Sequence, residues 1–212
     1  MSSSAADRRC FREPIPEIAE AARLLDAAVT AHGMGKHDLA EQLIGLADMA
    51  ELRDYTESLW GARSPYVKFR PVPGSPAQSL QARDAKERMP SLAEREYLLR
   101  RDGFHCRFCG IPVIRKEIRE RIRKCYPAVL RWGAKNADQH AAFQLLWATY
   151  DHVLPHSRGG LSSLENLVIT CQPCNASRWY YTLEEVGLLD PRLYEPVRST
   201  WDGLERFASL SK

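Results

Sequence analysis

Four cysteines in two closely spaced pairs constrain this chain more than any other feature. Cys106 and Cys109 form one C-x-x-C pair, and Cys171 and Cys174 form a second. A two-residue spacer lets both thiolates of a pair point at one ion, and two pairs supply the four sulfur ligands of a tetrahedral zinc site. One pair alone could equally be a redox couple. Two pairs therefore predict structural Zn²⁺, which holds a fold together and performs no chemistry itself.

The distance between the pairs is long for such a site. Residues 110–170, 61 in number, separate them, which exceeds the spacing of an ordinary zinc ribbon. A sizeable segment must therefore leave the first pair and return to the second. We expect the remaining cysteines, Cys10 and Cys125, to be free thiols.

The composition is that of a globular protein. Of the 212 residues, 44% are hydrophobic and 27% are charged, which argues against a disordered, collagen-like or coiled-coil chain. The net charge of +3 is too small to establish a polyanionic partner. No run approaches the roughly 18 apolar residues of a membrane span, and residues 1–9 lack the apolar stretch of a secretory signal. We therefore expect a cytoplasmic protein without membrane contact, whose thiols stay reduced.

Patterning divides the chain into four regions. Apolar residues at helical spacing predict a helical hairpin in residues 1–63. Its apolar seam would comprise Ile15, Ile18, Ala22, Leu25 and Val29, followed by Leu39, Leu43, Leu46 and Met49. Clustered prolines mark residues 64–90 as a linker. Capping-box signatures at Ser91 and Thr182 predict helix starts within a domain of residues 91–190, and residues 191–212 form a C-terminal helical tail.

Polar residues gather just before and after the second cysteine pair. Asp151 and His152 lie where a strand is expected, residues 156–165 suit a loop, and residues 167–169 suit another strand. Pro173 fits the first turn of a helix, which would carry Asn175 and Arg178. The expected order is strand, loop, strand and helix, with zinc holding the helix start.

This order resembles the HNH endonucleases, which have a ββα-metal fold. The matching residues lie between about 95 and 182. They are Arg101-Asp102-Gly103, Cys106, Cys109, Asp151-His152, Pro155, Gly159-Gly160, Asn166 and Cys171-x-x-Cys174-Asn175. The resemblance implies an α+β fold whose ββα-metal core is stabilised by four cysteines on zinc, beside an N-terminal helical region and a basic helical insertion at residues 111–146.

The same resemblance implies roles for the polar residues. His152 would be the general base, Asp151 and Asn175 would hold a catalytic divalent cation, and Asn166 would brace the loop and orient the imidazole. Asn175 stands where the commonest family pattern has His, a difference that bears on metal preference. The chemistry agrees independently, because phosphodiester hydrolysis needs a base near the working pH and a cation on the phosphate. Carboxylate and amide oxygens suit Mg²⁺ or Mn²⁺ better than zinc.

Basic residues around the motif predict contacts with nucleic acid. Residues 107–135 contain nine basic and two acidic side chains. Ile114, Ile118 and Ile122 step by four, so a helix here can dock one face while its arginines point outward. A solvated charged face is the alternative, but beside such a site neutralisation of phosphates is favoured. The predicted contacts are Arg115, Arg119, Arg121, Arg123, Lys124, His156, Arg158 and Arg178.

The favoured function is a metal-dependent endonuclease that acts on DNA, with a water molecule activated by His152. An alternative is a zinc-stabilised nucleic-acid-binding module without catalytic activity. Intact Asp151, His152, Asn166 and Asn175 argue against it, because a binder needs neither a base nor a hard-metal site. A weaker alternative is an adaptor whose N-terminal helices recruit a partner protein, and these helices could also support a homodimer.

Overall fold

The structure, a computed structural model, describes residues 8–60, 64–78 and 89–210. Four parts of the predicted regions lie outside the described residues. They are residues 1–7, which carry most of the prediction about a secretory signal, residues 61–63 of the predicted helical region, residues 79–88 of the predicted linker, and residues 211–212 of the predicted tail.

The N-terminal region folds into three helices, α1 (Pro16–Gly33), α2 (His37–Leu46) and α3 (Ala50–Ser58). Pro16 opens α1 at a position where its missing N–H costs nothing. Helices α1 and α2 pack closely against each other, so the predicted hairpin is confirmed and a third helix follows it.

The predicted apolar seam is wrong on α2. Leu39 and Leu46 are 44% and 63% exposed, whereas Ala40, Ile44 and Ala47 are buried. The buried set lies one position further along the chain than the predicted set and has the same spacing. The helical period of 3.6 residues therefore allows either set of residues to face inward. Packing against α1 selects the set with the smaller side chains.

The second half of the chain begins with α4 (Leu92–Arg101), α5 (Lys116–Cys125) and α6 (Ala141–Leu145). A complete capping box at Ser91 starts α4, as predicted. Helix α5 buries Ile118 and Ile122, and Ile114 just before it is also buried. These isoleucines anchor the basic segment, as their spacing predicts.

A two-stranded antiparallel sheet follows, made of β1 (Ala148–His152) and β2 (Leu167–Cys171), and α7 (Gln172–Arg178) continues directly from β2. Asp151 pairs with Val168, and His152 pairs with Leu167. The predicted order of strand, loop, strand and helix is confirmed. The protein therefore combines helices with a small sheet and a cysteine cluster.

Two further helices complete the described chain, α8 (Leu183–Val186) and α9 (Phe207–Leu210). The capping box predicted at Thr182 starts α8. Phe207 of α9 is buried, and its ring lies 4.5 Å from that of His32 on α1. The chain end thus packs against its first helix. Within the described residues, no helix is long and apolar enough to span a membrane.

The described part of the predicted linker, residues 64–78, lies against the second half of the chain. The backbone N–H of Arg70 donates to the carbonyl of Glu185 at 2.8 Å, and the ring of Phe69 lies 4.8 Å from that of Tyr181. This stretch is therefore held in place by contacts rather than by regular secondary structure.

Candidate active site and metal centre

The four cysteines come together at the junction of two parts of the chain. The turn after α4 supplies Cys106 and Cys109, and the end of β2 with the start of α7 supplies Cys171 and Cys174. All four sulfur atoms lie within 4.8 Å of one another. Three of these residues are buried and Cys109 is half-buried. This cluster is compatible with a structural zinc ion, as the sequence predicts.

The thiols of the cluster influence one another electrostatically. Burial alone would raise the pKa of Cys106, but hydrogen bonds from the other three thiols outweigh it and hold this pKa well below its ordinary value. The pKa values of Cys109 and Cys174 are raised instead, by their neighbouring thiols and by burial, and that of Cys171 is raised by burial and by its neighbouring thiols. Without a cation the cluster therefore favours one thiolate, the form that binds metal. A cation would relieve the negative charge that such a thiolate places in the interior.

Arg101 and Asp102 connect the end of α4 to β2. Asp102 accepts a hydrogen bond from the backbone N–H of Ile169 at 2.8 Å, and Arg101 binds Asp102 at 2.8 Å and the carbonyl of Leu167 at 2.6 Å. The backbone of Arg107 adds a bond to Ile169. These contacts hold the first cysteine pair beside the second, a role that sequence reasoning did not assign.

His152 lies at the end of β1, where the chain leaves the sheet. Its Nε2 lies 2.9 Å from the hydroxyl of Ser162, and its ring centroid lies 5.6 Å from that of His156. The side chain of His152 is largely buried. Sequence reasoning missed Ser162, because one serine in a glycine- and serine-rich loop carries no distinguishing signal.

Asn166 closes the loop that joins the two strands. Its side-chain oxygen accepts from the backbone N–H of Leu154 at 2.8 Å, and its amide nitrogen donates to the carbonyls of Leu154 at 3.1 Å and Leu161 at 2.8 Å. Gly160 allows this closure, because an added Cβ would lie 1.8 Å from the carbonyl oxygen of Leu154. Asn166 therefore sits where the resemblance places the loop brace.

Asp151 is paired with Arg178 beneath the site. Arg178 Nε donates to one carboxylate oxygen at 2.7 Å, and a second nitrogen donates to the other oxygen and to the carbonyl of His152. Burial raises the pKa of the Asp151 carboxyl, and the charge of Arg178 opposes that shift. Arg178 lines the candidate cavity but is only 1% exposed, and its contact with a phosphate stays a prediction. Its contacts in the structure position Asp151 and the end of β1.

One cavity of about 720 Å³ opens above these residues. Asp151, His152, His156 and Asn175 all line it, together with Arg95, Arg115 and Lys116. Asn175 comes from the first turns of α7, directly after the last cysteine ligand. The structure therefore brings the candidate base and both candidate cation ligands to one cavity, while Asn166 braces the loop behind it.

A comparison with family models identifies this part of the chain. The HNH endonuclease model matches residues 144–178. The predicted resemblance is thus confirmed for the segment that contains β1, β2 and α7, with Asp151, His152 and Asn175 of the cavity. We call residues 144–178 the HNH segment. No curated protein and no solved structure matches the chain.

The predicted nucleic-acid contacts fall into two groups around the HNH segment. Several guanidinium groups bind within the protein: Arg115 lies 2.6 Å from Glu205, and Arg158 lies 3.2 Å from Glu185. On α5, Arg121 and Lys124 are exposed, and Arg123 is partly exposed.

Arg119 departs from the expected outward orientation of the α5 arginines. It is 3% exposed, and its guanidinium lies 3.4 Å from the ring centroid of Trp132 and 4.9 Å from that of Trp147. The outward prediction is therefore wrong for Arg119, because the faces of the two indole rings attract its guanidinium. Arg119 fastens α5 to the HNH segment through Trp147.

Proposed function

We propose that this protein is a cytoplasmic, metal-dependent HNH endonuclease that hydrolyses phosphodiester bonds in DNA. The observation that carries the proposal is the meeting of Asp151, His152 and Asn175 at one cavity within the HNH segment. A base beside two hard oxygen donors suits attack of water on a phosphate. The cysteine cluster would hold Zn²⁺ and so fix the start of α7.

In this proposal His152 takes the proton from the attacking water. With Nε2 protonated and donating to Ser162, the other ring nitrogen, Nδ1, carries the lone pair that accepts this proton. The Asn166 brace and the close packing at Gly160 hold the loop that contains Ser162. The imidazole is therefore positioned by Ser162, whose loop is itself held by Asn166 and by the packing at Gly160.

Asp151 and Asn175 would hold the catalytic Mg²⁺ or Mn²⁺. Their carboxylate and amide oxygens fit such an ion, since hard cations prefer oxygen ligands. The bound cation would offset the negative charge that develops on the phosphate and leaving oxygens. Arg178 orients the Asp151 carboxylate from below, and each carboxylate oxygen has a second lone pair for another partner.

A zinc-stabilised nucleic-acid-binding module without activity is the second candidate. The observation that favours it is the ion pair of Asp151 and Arg178, which already neutralises the carboxylate. In that case Asp151 would only stabilise the fold, and added Mg²⁺ or Mn²⁺ would not produce cleavage of DNA.

Nicking of a supercoiled plasmid tests the two candidates. We expect cleavage with added Mg²⁺ or Mn²⁺ and none in their absence, with the structural zinc left in place. His152→Ala should lower the rate by at least about 100-fold while leaving the circular dichroism spectrum and DNA binding unchanged. His37→Ala, at an exposed position at the start of α2, is the matched control and should keep full activity. An inert wild-type protein, or an active His152→Ala variant, would contradict the proposal.

A further inference from the structure

A row of aromatic side chains leads away from the candidate site. It consists of Trp179, Tyr180, Tyr181 and Phe69, and we call it the aromatic row. Neighbouring ring centroids lie 4.7 Å, 4.7 Å and 4.8 Å apart. The two ends of the row are open, with Trp179 68% exposed and Phe69 49% exposed. Contiguous exposed apolar surface of this kind marks a binding site more often than chance.

The backbone holds Trp179 outward in an unusual conformation. Its φ of +51° lies in the left-handed region, which a bulky side chain rarely adopts. Two hydrogen bonds fix the turn: Trp179 N–H donates to the carbonyl of Asn175, and Tyr181 N–H donates to the carbonyl of Arg178, both at 3.0 Å. The indole is therefore presented to solvent by the same helix that carries Asn175.

The aromatic row is continuous with the cavity of the candidate site. Trp179 and Tyr180 line that cavity together with His152 and Asn175. The guanidinium of Arg158 lies 5.7 Å from the ring centroid of Tyr180, and Arg95, Arg115 and Lys116 add positive charge to the cavity wall, against Glu117 and Asp151. A ligand on this surface would thus meet both flat apolar rings and basic groups.

We infer that the aromatic row is a stacking surface for unpaired nucleobases, so that the proposed nuclease acts on DNA that is single-stranded or locally unpaired beside the scissile phosphate. Paired bases within a duplex show only their edges in the grooves, whereas each unpaired base offers a flat face to an aromatic ring. This inference rests on the proposed function and adds to it a class of substrate, namely DNA with unpaired bases.

The aromatic row ends at the candidate site, which favours a nucleobase over a protein as its occupant. Trp179 lines the cavity that also contains the candidate base and the candidate cation ligands. A strand that places its phosphate there would bring an adjacent base over the indole. A partner protein seated on Trp179 would instead cover the cavity.

Binding measured without cleavage tests the inference. In a His152→Ala background, with no Mg²⁺ or Mn²⁺ added, fluorescence anisotropy would follow a labelled 15-nucleotide single strand and its blunt duplex. Trp179→Ala should weaken single-strand binding by about 10-fold, in line with the loss of one stacked base, and should change duplex binding less than about twofold. Trp179→Phe keeps an aromatic face and should retain most of the affinity. Tyr97→Ala, an exposed aromatic on α4, is the matched control and should behave as the parent.

Four outcomes would overturn the inference: no binding of the single strand by the parent, no loss in Trp179→Ala, equal losses for single strand and duplex, or conversion of a dimer to a monomer by Trp179→Ala on a sizing column. Plasmid nicking by the wild-type protein is scored separately. If the protein nicks plasmid but fails the stacking test, only the inferred substrate class is contradicted. If the protein does not nick plasmid, the proposed function is contradicted.

Discussion

Arg178 and Asp151 form a buried ion pair that joins α7 to β1 at the base of the candidate site. The guanidinium contacts both carboxylate oxygens and the carbonyl of His152, and both side chains are almost fully inaccessible to solvent. The helix that carries Asn175 and the strand that carries His152 are thus fastened together by one side chain.

Removing this arginine should destabilise the fold strongly. Arg178→Met leaves the Asp151 carboxylate buried and unpaired, so we expect the free energy of unfolding to fall by about 3–5 kcal/mol. Urea denaturation measures this change. The double variant Asp151→Asn with Arg178→Met should recover part of the loss, because no charge is then stranded. Arg192→Met breaks an exposed pair with Asp190 and should cost less than about 1 kcal/mol. Equal losses in Arg178→Met and Arg192→Met would contradict this view of the pair.

Replacing a cysteine of the cluster should release zinc and unfold the protein. Cys106→Ser or Cys174→Ser removes one of four sulfur ligands, and metal binding is coupled to folding in small metal-stabilised units. We expect metal analysis to find about one zinc per chain in the wild type and much less in either variant. Cys125→Ser changes an exposed cysteine outside the cluster and should keep its zinc. Folded wild-type protein without zinc would disprove the structural-metal assignment.

Charge reversal on α5 should weaken DNA binding in a salt-dependent way. Arg121→Glu with Lys124→Glu alters two exposed side chains. If both neutralise phosphates, the slope of log affinity against log salt should become shallower by roughly 2, about 0.9 for each lost contact. Arg23→Glu with Lys36→Glu makes the same change in net charge on the N-terminal helices. The same loss in both pairs would mean that net charge alone, and not a surface on α5, controls binding.

Stability should fall as the pH drops below about 6.5. Burial lowers the pKa of His140 from its usual 6.5, and its Nε2 binds the carbonyl of Ile44. That hydrogen bond and the charge of Asp48 oppose the lowering of the pKa, whereas the charges of Arg131 and Arg53 reinforce it. Because the folded-state pKa lies below the unfolded one, the unfolded chain takes up the proton first as the pH falls, and stability present above 6.5 is lost.

Denaturation between pH 5.5 and 8 would check this dependence. His140→Gln retains an N–H donor but does not titrate, so its stability should depend less on pH, by up to about 1.4 kcal/mol per pH unit. A wild-type slope that persists unchanged in His140→Gln would assign the effect to another group.

The cysteine cluster and the order of elements around it could be predicted from the sequence because their signals are local. A C-x-x-C pair fixes its own geometry over four residues, and a capping box does so at Ser91 and Thr182. The continuous apolar run of residues 167–169 likewise predicts a strand, and β2 is buried along its whole length. The HNH segment was predictable for the same reason, since most of its defining residues lie close together in the chain.

The partners of the charged side chains could not be predicted, because they lie far apart in sequence. Arg178 reads as an exposed helix residue until β1 is folded over it with Asp151. Arg119 likewise reads as outward-facing until Trp132 and Trp147 enclose it. The face of α2 was mispredicted because two adjacent stripes have the same spacing, and only the packed neighbour distinguishes them.

The cysteine cluster also orders events during synthesis of the chain. Sixty-one residues separate its second pair from its first, and Asn175 is added immediately after Cys174. A nascent chain therefore cannot bring all four cysteines together until nearly every residue of the candidate site has been synthesised. Binding of a structural ion and assembly of the candidate site would therefore occur at the same stage, so a chain released early would have neither.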